Sequence, residues 1–166
     1  LRDNIIVINS FSKYFAMSGW RAGWAVVPMK HMKPLDIIAQ NTYLATSTVA
    51  QYAALAAFSN ETKQILEQRK VVFKQRRDLL CNALSELAID VPVIPEGAFY
   101  VYADISKYSN DSFLFCRELL DSKAVAITPG CDFGEYQANR YVRFAYTTSD
   151  ERITMGMHRL ADFLSS

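Results

Sequence analysis

Apolar residues run along this chain in two rhythms. Ile5-Ile6-Val7-Ile8 is an unbroken β-branched run, the pattern of a strand covered on both faces as in parallel sheets. It gives way to the polar stretch Asn9-Ser10-Phe11-Ser12-Lys13, and after Gly19 the residues Trp20 to Val27 read as a second apolar strand closed by Pro28. Residues 30–40 and 48–58 read as helices, the second rich in alanine. From Glu61 to Leu87 the rhythm changes: Ile65, Val72, Phe73, Leu80, Leu84 and Leu87 fall at helical spacing among Lys, Arg, Gln and Glu, which predicts one long amphipathic helix suited to connect two domains. Val91-Pro92-Val93-Ile94-Pro95 is extended, and Gly97 introduces an alternating aromatic strand, Ala98 to Ala103. A helix over Asp111 to Leu120, a short strand over Ala124 to Ile127 and a strand over Tyr141 to Tyr146 follow. Thr148 and Glu151 have capping-box spacing, and Ile153, Met157, Leu160, Ala161 and Leu164 carry the pattern on as a terminal amphipathic helix.

Helices and strands alternate with no internal repeat or flexible linker, so the class is α/β or α+β. The 166 residues are 51% hydrophobic, enough apolar surface to offset the entropy of folding and to exclude disorder. Eighteen Lys and Arg stand against 17 Asp and Glu, a net charge of +1. That balance gives no long-range field of one sign, so neither nucleic acid nor a membrane surface is an expected partner. No run of about eighteen apolar residues is present to form a transmembrane helix. Cys81, Cys116 and Cys131 are widely spaced and odd in number, which fits neither a zinc pattern nor a secreted disulfide framework and points to a reducing, cytoplasmic setting without a metal site. The chain opens on Leu1-Arg2-Asp3 and enters a strand almost at once, so the expectation is a piece of a larger fold with an incomplete site.

The densest cluster of chemistry is Ser10-Phe11-Ser12-Lys13, followed by Gly19 and Arg21-Ala22-Gly23. Lys13 lies just past the carboxyl end of a predicted strand, where open α/β sheets place their ligands. A partly desolvated lysine there is a nucleophile toward carbonyls, Ser10 and Ser12 offer hydroxyls, and Arg21 offers a fork suited to phosphate. Together they describe a Schiff-base lysine beside a phosphate clamp; the same residues also fit solvated loop charges with serines as turn formers. Downstream, alternation puts Val142, Phe144 and Tyr146 on one strand face and Tyr141, Arg143 and Ala145 on the other. A charge within an aromatic strand needs a partner, which a substrate carboxylate or an internal Asp or Glu would supply. His31 and His158 have no ligand spacing, Tyr100 and Tyr102 read as core, Trp20 and Trp24 as packing residues, and Cys131 has no assigned role.

The order Ser10-Phe11-Ser12-Lys13, Met17, Gly19, Arg21 and Gly23 resembles the pyridoxal-phosphate attachment signature of class I/II aminotransferases, the aspartate aminotransferase superfamily. Pro95-Glu96-Gly97-Ala98-Phe99-Tyr100, Pro129-Gly130 with Phe133-Gly134, and Tyr141-Val142-Arg143-Phe144-Ala145 resemble later motifs of that family, in family order. The resemblance implies an α/β fold: the end of a large, three-layer α/β/α domain with a mostly parallel sheet over residues 1–60, an interdomain helix over 61–88, and a smaller α/β carboxyl-terminal domain over 89–166. It implies pyridoxal 5'-phosphate as cofactor, with Lys13 as the Schiff-base and proton-moving residue, Ser10, Ser12 and Arg21 on the cofactor, and Arg143 on the substrate α-carboxylate. Amino acid and 2-oxo acid are the implied substrates, and a homodimer the implied assembly. Thr46-Ser47 resembles the segment that reaches toward the neighbouring subunit's cofactor. The absence of an arginine among residues 41 to 46 speaks against aspartate side-chain specificity by that route. In the family an aspartate on the ring nitrogen and a glycine-containing phosphate loop precede the lysine by more than a dozen residues, so this chain alone is expected to be inactive and to expose apolar surface at Ile5 to Ile8 and Trp20 to Val27. A β-elimination lyase on the same scaffold, the effector domain of an aminotransferase-like transcription regulator, and a cofactor-free scaffold module are the alternatives.

Overall fold

The computed structural model describes residues 4–165, and they form a mixed α/β structure in which short antiparallel sheets are interleaved with helices. Contacts divide the chain into two units, one up to Arg69 and one from Lys70 onward.

In the first unit, β1 (Val7–Ser10) pairs antiparallel with β2 (Gly23–Val26), placing Ser10 opposite Gly23 and Val7 opposite Val26. Helices α1 (Met29–Thr42) and α2 (Thr48–Ala56) follow, and α3 (Asn60–Glu86) begins here. Phe11, Met17 and Ala22 from the β1–β2 connection are buried together with Ala50 and Ala57, and Phe15, Trp24, Ala53 and Ala54 pack against them. Alanines on α2 leave room for the aromatic rings, which meet at an angle: Phe11 lies 4.9 Å from both Phe15 and Trp24, with planes tilted by 47° and 59°. The β-branched run predicts a strand covered on both faces, yet β1 is exposed throughout and Ile8 is 80% exposed. Such a run needs a layer on each face, and among the described residues β1 has β2 as its strand neighbour. The expected apolar surface at Ile5 to Ile8 is therefore present. The sheet pairs described here are all antiparallel, so the expected parallel pairing is not among them.

The second unit holds the rest of α3 with β3 (Tyr100–Asp104), α4 (Ser112–Lys123), β4 (Thr128–Pro129), β5 (Tyr141–Ala145) and α5 (Asp150–Leu164), in the sheet order β3-β5-β4. Val101, Ala103 and Ile105 alternate into the core beside Val142, Phe144 and Tyr146. Leu84, Leu119 and Leu160, from α3, α4 and α5, cover them and are fully buried, each contributing about 2 kcal/mol. With one face so covered, the other face of the sheet is left for Tyr100, Tyr102, Tyr141 and Arg143.

Several boundaries differ from the sequence reading: the strand expected over Trp20 to Val27 is β2 alone, with Trp20 in a 3-10 turn over Ser18–Trp20, and two further differences have a visible cause. Ala124 to Ile127 forms no strand, because Ala124 caps α4 in the left-handed conformation (φ 53°), its N–H donating to Leu120 O; pairing starts only at Thr128. Helix α5 is capped by Ser149 rather than Thr148, the Ser149 Oγ accepting from Arg152 N at 3.4 Å. Among the described residues no helix is long and apolar enough to cross a membrane.

Candidate active site

Ser10, Ser12, Lys13 and Arg21 lie in or at the ends of the segment that joins β1 to β2. The ladder closes its base: Phe11 N donates to Ala22 O at 3.1 Å, directly beyond the Ser10–Gly23 pair. At that pair a side chain on residue 23 would place Cβ 2.7 Å from Asn9 O, so the close approach of the two strands requires glycine. Ser12 N donates to Ser10 Oγ (3.0 Å), Ala16 N to Lys13 O (3.0 Å) and Met17 N to Phe11 O (3.1 Å), which folds the segment into consecutive turns. Ala16 and Arg21 adopt left-handed backbone, at φ 55° and 52°. Non-glycine residues hold that conformation only where their surroundings impose it. Here Phe11, Phe15 and Met17 act as an apolar plug that anchors the turns from beneath.

The plug sorts the side chains. Apolar ones point inward, so Ser10, Lys13 and Arg21 are left exposed and Ser12 half-buried. Arg21 spends one donor on its own loop, Nη1 to Ser18 O at 2.9 Å, and among the described residues no other hydrogen bond of its guanidinium is found. Beside it opens a cleft of about 870 Å³ lined by Asn9, Trp20, Arg21, Tyr43, Thr46 and Ser47, among others. Trp20, 44% exposed at this wall, is thus no packing residue, whereas Trp24 joins the aromatic plug as expected. Of the four loop residues named from sequence, Arg21 lines this cleft while Ser10, Ser12 and Lys13 lie on the same β1–β2 segment outside its lining; the cleft adds Trp20 and Tyr43, which carried no motif.

Arg143 belongs to the second unit. On β5 it faces Tyr102 of β3 and Thr128 of β4 across the sheet, and its Nη2 donates to Thr128 Oγ1 at 3.1 Å. Its guanidinium carbon sits 4.8 Å from the ring centre of Phe133 and 5.6 Å from that of Tyr100. Its Nε is buried without a partner, and no acidic side chain among the described residues forms an ion pair with it. The internal Asp or Glu considered from sequence is therefore not found among them, and a half-buried cation without a counter-charge suits an incoming carboxylate. Tyr100 and Tyr102 are not core: they stand on the outer face, where Tyr102 stacks on Tyr141 with centres 5.0 Å apart and planes at 14°. Burial pushes the Tyr102 phenol up, with the neighbouring Tyr141 adding to it.

The neighbouring Arg140 is engaged otherwise. Its Nη2 donates to the buried Asp104, which also accepts from Ser106 N at 2.9 Å. Burial is the largest influence on Asp104 and raises its pKa, but the bonds from Arg140 and Ser106 together hold the carboxyl below its ordinary value. Gly130 follows the edge strand β4, and a Cβ there would fall 2.3 Å from Ala138 O, 2.5 Å from Tyr102 Oη and 2.7 Å from Tyr141 O. No other residue fits, which explains the Pro129-Gly130 step. Cys131, next in line, is exposed, while Cys116 on α4 is buried and its thiol is pushed up to about 12 by desolvation.

Comparison with known proteins places these motifs in one context. The sequence profile described as aminotransferase class I and II matches residues 2–160. The valine–pyruvate aminotransferase of Mycobacterium tuberculosis is 36% identical over 98% of this chain and 42% of its own length. The aspartate aminotransferase of Thermotoga maritima is 36% identical over 99% of this chain and 41% of its own. A crystal structure of an aminotransferase from Mycobacterium tuberculosis superposes with a TM-score of 0.92 at 36% identity, covering 96% of this chain and 41% of that one. The chain thus spans about two fifths of the length of the relatives it matches. With nearly all of its residues accounted for by that profile, the chain belongs to the aminotransferase class I and II family.

Proposed function

We propose that the chain is the lysine-bearing portion of an aminotransferase that moves an amino group between an amino acid and a 2-oxo acid. The family is dependent on pyridoxal phosphate, and the donor set of the β1–β2 loop suits that molecule: an amine for its aldehyde, hydroxyls, and an exposed guanidinium with one donor taken by Ser18 O for its phosphate. That loop, with amine and anion-binding groups held on one plugged and glycine-closed turn, is the observation that carries the reading. When bound, the cofactor supplies a carbonyl that accepts the amino group and a ring that delocalises the electron pair left on the substrate's Cα.

Within this assignment Lys13 would hold the cofactor through its Nζ, and once the substrate's amine has displaced that bond the freed Nζ would take the proton from the substrate's Cα and pass it to the cofactor's former aldehyde carbon. Ser10 and Arg21 hold the phosphate, a planar bidentate task for which arginine is better shaped than lysine, and Ser12 adds a further hydroxyl toward the cofactor. Arg143 binds the substrate α-carboxylate through the guanidinium edge that no protein group occupies. By the same reading the complete gene product is a homodimer, and its unpaired cysteines agree with a cytoplasmic setting.

The test follows the nitrogen. The complete gene product is incubated with pyridoxal phosphate, a ¹⁵N-labelled amino acid and an unlabelled 2-oxo acid. The expected result is label in the amino acid formed from the acceptor, dependent on both substrates. Pyruvate and thiol released from a cysteine conjugate, without label transfer, would replace this reading by β-elimination.

A further inference from the structure

Arg143 is held by more than its own strand. Everything that fixes its guanidinium, apart from Tyr100, comes from the short segment Thr128–Phe133. Thr128 Oγ1 accepts from Nη2 at 3.1 Å, and Phe133 covers one guanidinium face at 4.8 Å while Tyr100 flanks it at 5.6 Å. The segment is itself rigidly placed. Gly130 is packed so closely against Ala138 O, Tyr102 Oη and Tyr141 O that it admits no side chain, Phe133 N donates to Gly130 O at 2.9 Å, and the fully buried Ser112 Oγ donates to Ala138 O at 3.2 Å. None of these contacts neutralises the arginine, so they orient a cation and leave its charge unspent. Phe133 is 52% exposed, so its ring lies between the guanidinium and the surface of this unit.

We infer that Thr128 and Phe133 are positioning residues that clamp Arg143 for the substrate carboxylate, Thr128 by fixing the rotation of the guanidinium and Phe133 by shielding one face from water. The inference rests on the assignment of Arg143 to the carboxylate. A guanidinium locked in plane and partly dehydrated loses less freedom and less hydration when the anion arrives. Loss of the clamp should therefore weaken recognition of the carboxylate more than the chemistry that follows.

Two readouts test this on the complete gene product. In NMR spectra of protein labelled with ¹⁵N-arginine and free of cofactor, the Arg143 side-chain resonances should show a ring-current shift that Phe133→Ala removes and Phe133→Tyr retains. In the cofactor-loaded protein, L-alanine, L-valine and L-phenylalanine are compared with ethylamine, isobutylamine and phenethylamine, which lack the carboxylate. Phe133→Ala and Thr128→Val should each raise KM for the amino acids about tenfold, a loss of about 1.4 kcal/mol, with a smaller change in kcat. The preference for amino acid over amine should fall by the same factor, while Phe133→Tyr and Thr128→Ser stay within about threefold of wild type. If Arg143→Leu leaves that preference unchanged, the carboxylate assignment falls and the clamp with it. If Arg143→Leu abolishes the preference but Phe133→Ala and Thr128→Val do not lower it, or if Phe133→Ala leaves the Arg143 resonances in place, the clamp alone is overturned.

Discussion

Asp104 and Arg140 show how the second unit keeps charge apart from its chemistry. Asp104 is 8% exposed and held below its ordinary pKa, so its carboxylate favours the folded state at every pH above the unfolded value of about 3.9. That contribution is lost as pH falls through the lower, folded value. Asp104→Asn should therefore destabilise the protein by about 1–3 kcal/mol at pH 7, and the gap from wild type should narrow in denaturation midpoints below about pH 4. A gap that widens in acid would mean the carboxyl is not held ionised by Arg140. Arg143, three residues after Arg140, has no such partner among the described residues, and that contrast supports the proposal that it binds an external anion. This much of the contrast was legible: alternation placed Arg143 opposite the core side of its strand. Which group holds it was not. Thr128 and Phe133 reach it through cross-strand register and a folded-back loop, and neither leaves a periodic trace.

At the scale of elements, local chemistry decides where helices begin. Asp111 Oδ1 accepts from Leu114 N at 2.9 Å and opens α4, and its replacement by Ala should cost about 1 kcal/mol of stability, read as a lower melting midpoint. A midpoint unchanged by Asp111→Ala would show that packing of Phe115 and Leu119 alone fixes that end. The long helix was readable from spacing to within a residue at each end, α3 running Asn60–Glu86, because its apolar stripe repeats many times. Short elements were readable in kind but not in bounds. The Thr148-x-x-Glu151 spacing matched a capping box, but the backbone turns one residue later and Ser149 takes the N-terminal N–H. The Ala124 to Ile127 run is apolar enough for a strand, but the left-handed cap at Ala124 consumes its start.

The described residues form two units with separate cores. The first builds a lysine-bearing loop over an aromatic plug; the second offers a tyrosine-rich sheet face with an arginine, Arg143, that has no ion-pair partner among the described residues. Sequence order made the loop visible because its polar residues are contiguous, and family resemblance supplied their roles. The plug escaped it, since Phe11, Phe15 and Met17 look like interruptions in a polar stretch until Phe58 and Trp24 are seen to meet them. The β-branched strand at the start of the chain retains the composition of a two-sided interior while exposing both faces, in keeping with a chain that covers about two fifths of its relatives. Lys13 is the residue on which the proposed function turns. Borohydride reduction of the complete gene product loaded with pyridoxal phosphate, followed by peptide mass mapping, should find the reduced cofactor on the peptide containing Lys13 and on no other lysine. A folded, cofactor-exposed protein with Lys13 unmodified would contradict it.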